Sequence, residues 1–268
     1  MRRFLNMKVN EYHGFKYSPF KRNIKVLYES VDYLEIAQRL DYFIEEEGIA
    51  LITGPSGTGK TAIVRSILNK IGDEVLYIQN NELTLFEFYN YLGKMMEVST
   101  NHCHMSQILM DINHRTKTYG ISGKKIILII DDAETLDNKI IRTLKYLSES
   151  DSERNSGIRV ILLGHSSFRE KCKRERFSTL IGNITVNYEC AGLSLNETKE
   201  YICHRLAEAG GSAEMIDDKY YAAIYNYTEG RTQKINRYMS TLLLIMFKME
   251  LRKVDNRVLK MTQQEMEI

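Results

Sequence analysis

The chain has little punctuation and no charge excess. Two prolines occur in 268 residues; no low-complexity stretch or long linker breaks the chain, and no segment repeats, which excludes solenoids and extended linker architectures. Four cysteines, Cys103, Cys172, Cys190 and Cys203, are too few and too widely spaced for a disulfide framework and fit a reducing cytoplasm. Lys and Arg total 37 against 35 for Asp and Glu. Affinity for a polyanion must then come from a local patch, not from the net charge. No run approaches 18 uncharged apolar residues, so no membrane-spanning helix is predicted. The opening MRRFLNMKVNEYHGF has no apolar core of signal-peptide length. A cytoplasmic protein is the expectation.

What is present is ordinary globular composition, 43% hydrophobic and 27% charged, in a length that suits one large domain or a medium one with a smaller attachment. Apolar residues at helical spacing run from Leu34 to Ile44. Strands are predicted at 48–53, 75–79, 125–130, 159–164 and 184–188. Helical stretches are predicted at 62–70, 85–96 and 104–117. The run Lys125-Ile126-Ile127-Leu128-Ile129-Ile130 is too continuously apolar to be half exposed and points to a parallel sheet covered on both faces. After Cys190 the pattern becomes helical only, over 195–209, 217–227, 232–249 and 255–266. It opens at the capping box Ser194 to Glu197. The fold class is therefore α/β: a P-loop domain over 1–190 with a five-stranded parallel sheet flanked by helices and an N-terminal extension over 1–30, then a small all-helical lid over 191–268.

Gly54-Pro55-Ser56-Gly57-Thr58-Gly59-Lys60-Thr61 satisfies the P-loop pattern G-x-x-x-x-G-K-[ST]. Its glycines let consecutive N–H groups turn inward around an anion, and the following helix, with Ala62 in its first turn, aims its positive end at phosphates. Lys60 is expected to reach the β and γ phosphates of ATP, and Thr61 to ligate Mg2+. A P-loop needs an acid on a neighbouring strand to hold the metal; Asp131 is in that place. Asp132, the next residue, is the candidate to orient or deprotonate the attacking water, with Glu134 a second choice. His165 or Ser166, after the fourth strand, is placed to sense the γ-phosphate.

These pieces, in this order, resemble the AAA+ ATPases, and more narrowly the branch with the ExeA-type ATPases and the transposition ATPases of the TnsC, TniB and MuB kind. The resemblance covers about Tyr12 to Leu244. It is carried by Gly14-Phe15-Lys16-Tyr17-Ser18-Pro19-Phe20, the P-loop, Ile129-Ile130-Asp131-Asp132-Ala133, Leu162-Leu163-Gly164-His165 and the stretch from Ile184 to Thr198. Tyr201-Ile202-Cys203-His204-Arg205-Leu206, Gly230 and Ile235-Asn236-Arg237 complete it. It implies ATP hydrolysis to ADP and phosphate and a homo-oligomer, ring or filament, formed with ATP on double-stranded DNA. A transposase partner follows from the same likeness; no membrane is expected among the partners, for the lack of an apolar run noted above. A non-hydrolysing nucleotide-binding scaffold and an ExeA-type secretion or protein-remodelling ATPase are the alternatives. The secretion type usually continues into a membrane span and a wall-binding domain, whereas this sequence stops after its lid.

Three departures from the family bear on turnover. The acidic pair is Asp-Asp, not Asp-Glu. Asn183 stands where the family usually has a finger arginine, with Arg174 and Arg176 as stand-ins. Gln233 stands at the second sensor, with Arg231 and Lys234 close by as nucleotide-binding candidates. An arginine finger contributes about 10³–10⁵ in rate, so slow hydrolysis is expected. Lys94, Arg115, Lys117, Lys124 and Lys125 lie on segments that face the pore in related rings and are candidates to follow a DNA backbone. Tyr17 or Phe20 is a candidate for the adenine pocket. His102-Cys103-His104 lacks the paired ligands of a structural zinc site.

Overall fold

The computed structural model describes residues 8–21, 27–46, 48–100, 104–149, 157–173 and 178–267. The chain forms two compact units. One, here the sheet unit, is Leu34–Pro55 with Lys60–Cys190; the other, the helical unit, takes the N-terminal segment through Tyr33, the loop residues Ser56–Gly59 and everything from Ala191.

In the sheet unit, β1 (Ile49–Thr53), β2 (Glu74–Gln79), β3 (Ile126–Asp131), β4 (Arg159–Gly164) and β5 (Ile184–Glu189) lie in the order β2-β3-β4-β1-β5. All four pairings are parallel. Every residue of β1 and β4 is buried, and so is β3 up to Ile130. The edge strands β2 and β5 instead alternate with solvent. The three central strands are covered on both faces, which is why they read as unbroken apolar runs.

Residues Leu51, Leu76, Ile78, Leu128, Ile130 and Leu162 face one layer, formed by α4 (Leu85–Met95), α5 (Met105–Ile121), α6 (Asn138–Ser148), α7 (Ser166–Cys172) and α8 (Ser178–Ile181). The alternate residues Ala50, Ile52, Ile127, Ile129, Ile161 and Leu163 point the other way. On that side the buried stripes Ile36, Leu40 and Phe43 of α2 (Val31–Glu45) and Val64 and Leu68 of α3 (Lys60–Leu68) supply the cover. Fully burying one such side chain contributes about 1.5–3 kcal/mol, so each helix is held by its apolar stripe.

The helical unit packs α1 (Val9–His13), α9 (Leu195–Glu208), α10 (Tyr221–Thr228), α11 (Thr232–Lys248) and α12 (Asn256–Met266) around Ile202, Leu206, Ile235, Tyr238 and Leu242. The capping box is formed: Ser194 Oγ accepts from the Glu197 N–H at 3.3 Å, and Glu197 Oε2 accepts from the Ser194 N–H at 2.9 Å. The helix predicted over 217–227 starts as a 3-10 turn, Asp218–Tyr220, before turning α-helical at Tyr221.

One expectation is corrected. The N-terminal extension, assigned by sequence to the P-loop domain, belongs to the helical unit. Phe15 and Phe20 are buried in its core. Arg205, itself 2% exposed, donates from Nε to the Pro19 carbonyl and from Nη2 to the Lys21 carbonyl. The adenine-pocket candidates lie in the same segment. Phe20 is a core residue, and the half-exposed Tyr17 donates its hydroxyl to the Glu208 carbonyl at 2.9 Å.

Candidate phosphate-binding site

The P-loop joins β1 to α3 directly. Gly54 leaves the strand at φ +147°, and a Cβ there would sit 2.6 Å from the Cys190 carbonyl oxygen, so only glycine fits. Gly57 and Gly59 also have positive φ, +81° and +100°, the backbone sense that turns N–H groups into an anion-binding concavity. Pro55 is half-buried, Ser56 exposed, Thr58 buried, and Ala62 exposed in the first turn of α3.

Lys60 Nζ donates to the Gly54 and Pro55 carbonyls at 2.9 and 3.0 Å. Burial pushes this ammonium below the ordinary lysine range, opposed by the charges of Cys190, Asp131, Glu134 and Asp132. Thr61 Oγ1 donates to Asp131 Oδ2 at 2.6 Å. Thr61 and Asp131 thus stand together as two hard oxygen donors, the chemistry that magnesium selects. With Gly54 and Lys60 in the same unit, the residues present fit a magnesium–triphosphate group.

Around that pair the structure adds groups that sequence reasoning did not assign. Tyr77 donates its phenol to Asp131 Oδ2 at 2.9 Å, and Arg65 lies over its ring at 4.3 Å. Burial and the Asp131 carboxylate push the Tyr77 phenol up to about 12. Asp132 is exposed, sits in the left-handed region at φ +55°, and accepts from Gln79 Nε2 at 3.4 Å. Its side chain makes no capping bond to the short 3-10 turn that follows. Glu134, the second choice, is tied to the end of β4: its Oε2 accepts from the His165 N–H at 3.1 Å. Lys171 Nζ donates to its carbonyl at 2.8 Å.

The His165 ring turns back on its own helix, where Nδ1 accepts from the Ser167 N–H at 3.3 Å and N-caps α7. Asn183, at the finger position, donates to Glu149 at 3.3 Å. Arg174, Arg176, His102 and Cys103 lie outside the described residues.

In the helical unit, Gln233 donates its N–H to the Gly57 carbonyl at 3.0 Å, and Thr232 Oγ1 donates to the same oxygen at 3.0 Å. A cavity of about 300 Å³ there is lined by Ser56, Gly57, Arg231, Gln233, Lys234 and Arg237, among others. Arg231 and Lys234 are both shared with Glu229, at 2.6 and 3.7 Å. Arg237 is a third cation of the group. Its signal in the sequence was its place one turn after Lys234.

A family model described as "AAA domain" matches residues 44–172. A curated relative, general secretion pathway protein A of Aeromonas hydrophila, is 24% identical over 244 residues, 88% of this chain and 44% of the relative. The chain thus spans less than half the length of that relative. Among solved structures, Cdc6p of Pyrobaculum aerophilum is similar with a TM-score of 0.72 at 14% identity, over 92% of this chain and 70% of that one. Drosophila ORC bound to DNA is similar at 0.70 and 15% identity, over 100% and 70%. At such identities the likeness is one of fold alone: a five-stranded parallel sheet flanked by helices, with a helical C-terminal region. Among the described residues, no helix is long and apolar enough to cross a membrane.

Proposed function

We propose that this chain binds ATP with magnesium at the P-loop, hydrolyses it slowly, and in the ATP state assembles as a ring or filament on double-stranded DNA to regulate a transposase. The observation that carries the nucleotide part is the 2.6 Å bond between Thr61 and Asp131 beside a loop that Lys60 closes. Bound magnesium would supply charge neutralisation for the phosphates, held by Thr61 and Asp131. The chain's own residues do the rest. Loop N–H groups and Lys60 bind and orient the phosphates, and Asp132 is the carboxylate available to take a proton from water. Asp132 is exposed and one methylene shorter than Glu, and a reacting group misplaced by about 1 Å costs on the order of a hundredfold. Slow turnover follows.

The DNA part draws support from the likeness to an ORC assembly bound to DNA and from exposed cations of the sheet unit. Lys94 on α4, Lys117 on α5 and Lys124 are exposed. Of the other candidates, Lys125 pairs with Glu45 at 2.8 Å and Arg115 with Glu97 at 3.5 Å. Exposed pairs of this kind are weak, so Arg115 remains free to exchange partner. A few contacts per subunit, multiplied over several subunits on one duplex, give useful affinity.

A second reading, a secretion or protein-remodelling ATPase, is favoured by the likeness to general secretion pathway protein A. Fluorescence anisotropy on two unrelated duplexes, with and without ATP and magnesium, separates the two. The DNA reading expects ATP-dependent binding to both, weakening steeply between about 50 and 200 mM salt. No binding to either duplex at low salt with ATP present would replace it with the remodelling reading.

A further inference from the structure

We infer that Tyr77 is a positioning residue that fixes the Asp131 carboxylate for the metal–nucleotide complex. The inference rests on the phosphate-site reading above and concerns the shell behind it.

The register of the sheet sets up the contact. In the parallel β2–β3 pair, Tyr77 lies opposite Ile129 and Gln79 opposite Asp131. Residues two apart share a face, so Tyr77, Gln79, Ile129 and Asp131 all project to the side that carries α3. Thr61 and Arg65 are one turn apart on that helix. Thr61 reaches the carboxylate, and Arg65 lies over the tyrosine ring, its guanidinium carbon 4.3 Å from the centroid. Helix and edge strand therefore grip one carboxylate from two sides.

The hydrogen bonds are specific. Asp131 Oδ2 accepts from Thr61 Oγ1 at 2.6 Å and from Tyr77 Oη at 2.9 Å, while Oδ1 accepts from the Asp132 N–H at 3.1 Å. Three donors on a group with about four acceptor positions define both the plane and the rotation of the carboxylate. Thr61 has one hydroxyl proton and gives it to Asp131, which leaves its oxygen lone pairs for a cation. Without Tyr77, only the Thr61 hydroxyl would hold Oδ2, and the carboxylate could swing about its χ2. Partners that orient a metal-ligating group typically hold about 10–100-fold in metal affinity. Packing alone does not explain this tyrosine, because its hydroxyl is spent on the one carboxylate the metal needs.

The test compares wild type and Tyr77→Phe, which keeps the ring under Arg65 and removes only the hydroxyl. Binding of a fluorescent ATP analogue is followed while magnesium is titrated in from EDTA. The expected result is a magnesium concentration for half-maximal tightening raised about tenfold. Nucleotide affinity in EDTA and the melting temperature in EDTA should be unchanged. A magnesium dependence equal to that of wild type overturns the inference. So does a parallel loss of metal-free affinity and melting temperature, the mark of a merely structural tyrosine. If wild type itself binds no nucleotide with magnesium present, the phosphate-site reading fails and takes the inference with it, a result visible without the variant.

Discussion

Replacing Lys60 by Ala separates what the P-loop lysine does for the fold from what it does for the nucleotide. In the structure its ammonium closes the loop through the Gly54 and Pro55 carbonyls, at 2.9 and 3.0 Å. A hydrogen bond to a charged group contributes about 1.5–3 kcal/mol. Against that stands the cost of burying the charge, visible in the depressed lysine pKa. The two oppose each other, so the melting temperature of Lys60→Ala should stay within about 3 °C of wild type, the effect of roughly 1 kcal/mol in a chain of this size. No such offset exists for ATP. One or two ammonium–phosphate bonds, about 2–4 kcal/mol, correspond to an affinity loss of about 30- to 1000-fold. Calorimetric titration with MgATP measures that loss, and differential scanning measures the stability. The pH dependence has a definite sign. A lysine whose folded pKa lies below its ordinary 10.5 carries its burial cost in full at neutral pH. The cost is relieved as pH rises from the folded value toward 10.5, because the unfolded chain then binds more protons. Wild type should therefore gain stability relative to Lys60→Ala across that window. Equal ATP affinity in the two proteins would refute the phosphate role, and a melting temperature lowered by more than about 10 °C would refute the offset.

Two further substitutions probe other groups. Asp132→Asn should abolish ATP turnover while MgATP still binds, and Glu134→Gln should retain a measurable rate, because the Glu134 carboxylate is already tied to the His165 N–H; single-turnover assays with both decide, and full activity in Asp132→Asn excludes it as the base. Tyr238 is fully buried, and its hydroxyl has no hydrogen-bond partner among the described residues, so Tyr238→Phe should stabilise the protein by about 1–2 kcal/mol, the cost of an unmet buried hydroxyl. Burial pushes this phenol up to about 12, so its contribution is complete below pH 10 and is lost as pH rises toward 12, a slope that Tyr238→Phe should flatten in chemical denaturation; a destabilised variant at neutral pH would show that the hydroxyl has a partner.

How far the sequence could be read depended on whether a feature was local. The P-loop, the capping box at Ser194 and the central strands were legible because each is a short run whose chemistry is complete within a few residues. The continuous apolar run of β3 reports a strand buried on both faces, and the structure extends it by one residue to Asp131, the very residue the site uses. The N-terminal extension was misassigned for the opposite reason. Phe20 read as an adenine-pocket candidate and Phe15 as part of the opening motif, while their partners, Arg205 and the α9 core, lie nearly two hundred residues away. Nothing in the spacing of the first thirty residues carries that information.

The site itself divides along the same line. Thr61 and Asp131 could be paired from the motif, because every P-loop needs that acid. Tyr77 could not, because its role exists only through the adjacency of β2 and β3 and a register that places Tyr77 and Asp131 on one face. A slip of one residue in that register would turn Tyr77 to the other side of the sheet. Glu134 meets β4 only because β4 is the next strand over from β3. Arg237 joins Arg231 and Lys234 at Gly57 because α11 starts beside that loop residue, where Gln233 and Thr232 both donate to its carbonyl. The groups that motifs name are the ones proposed to touch phosphate and metal. The groups that aim them are set by strand order and register, and on that ground Tyr77→Phe should affect magnesium and leave the bare nucleotide alone.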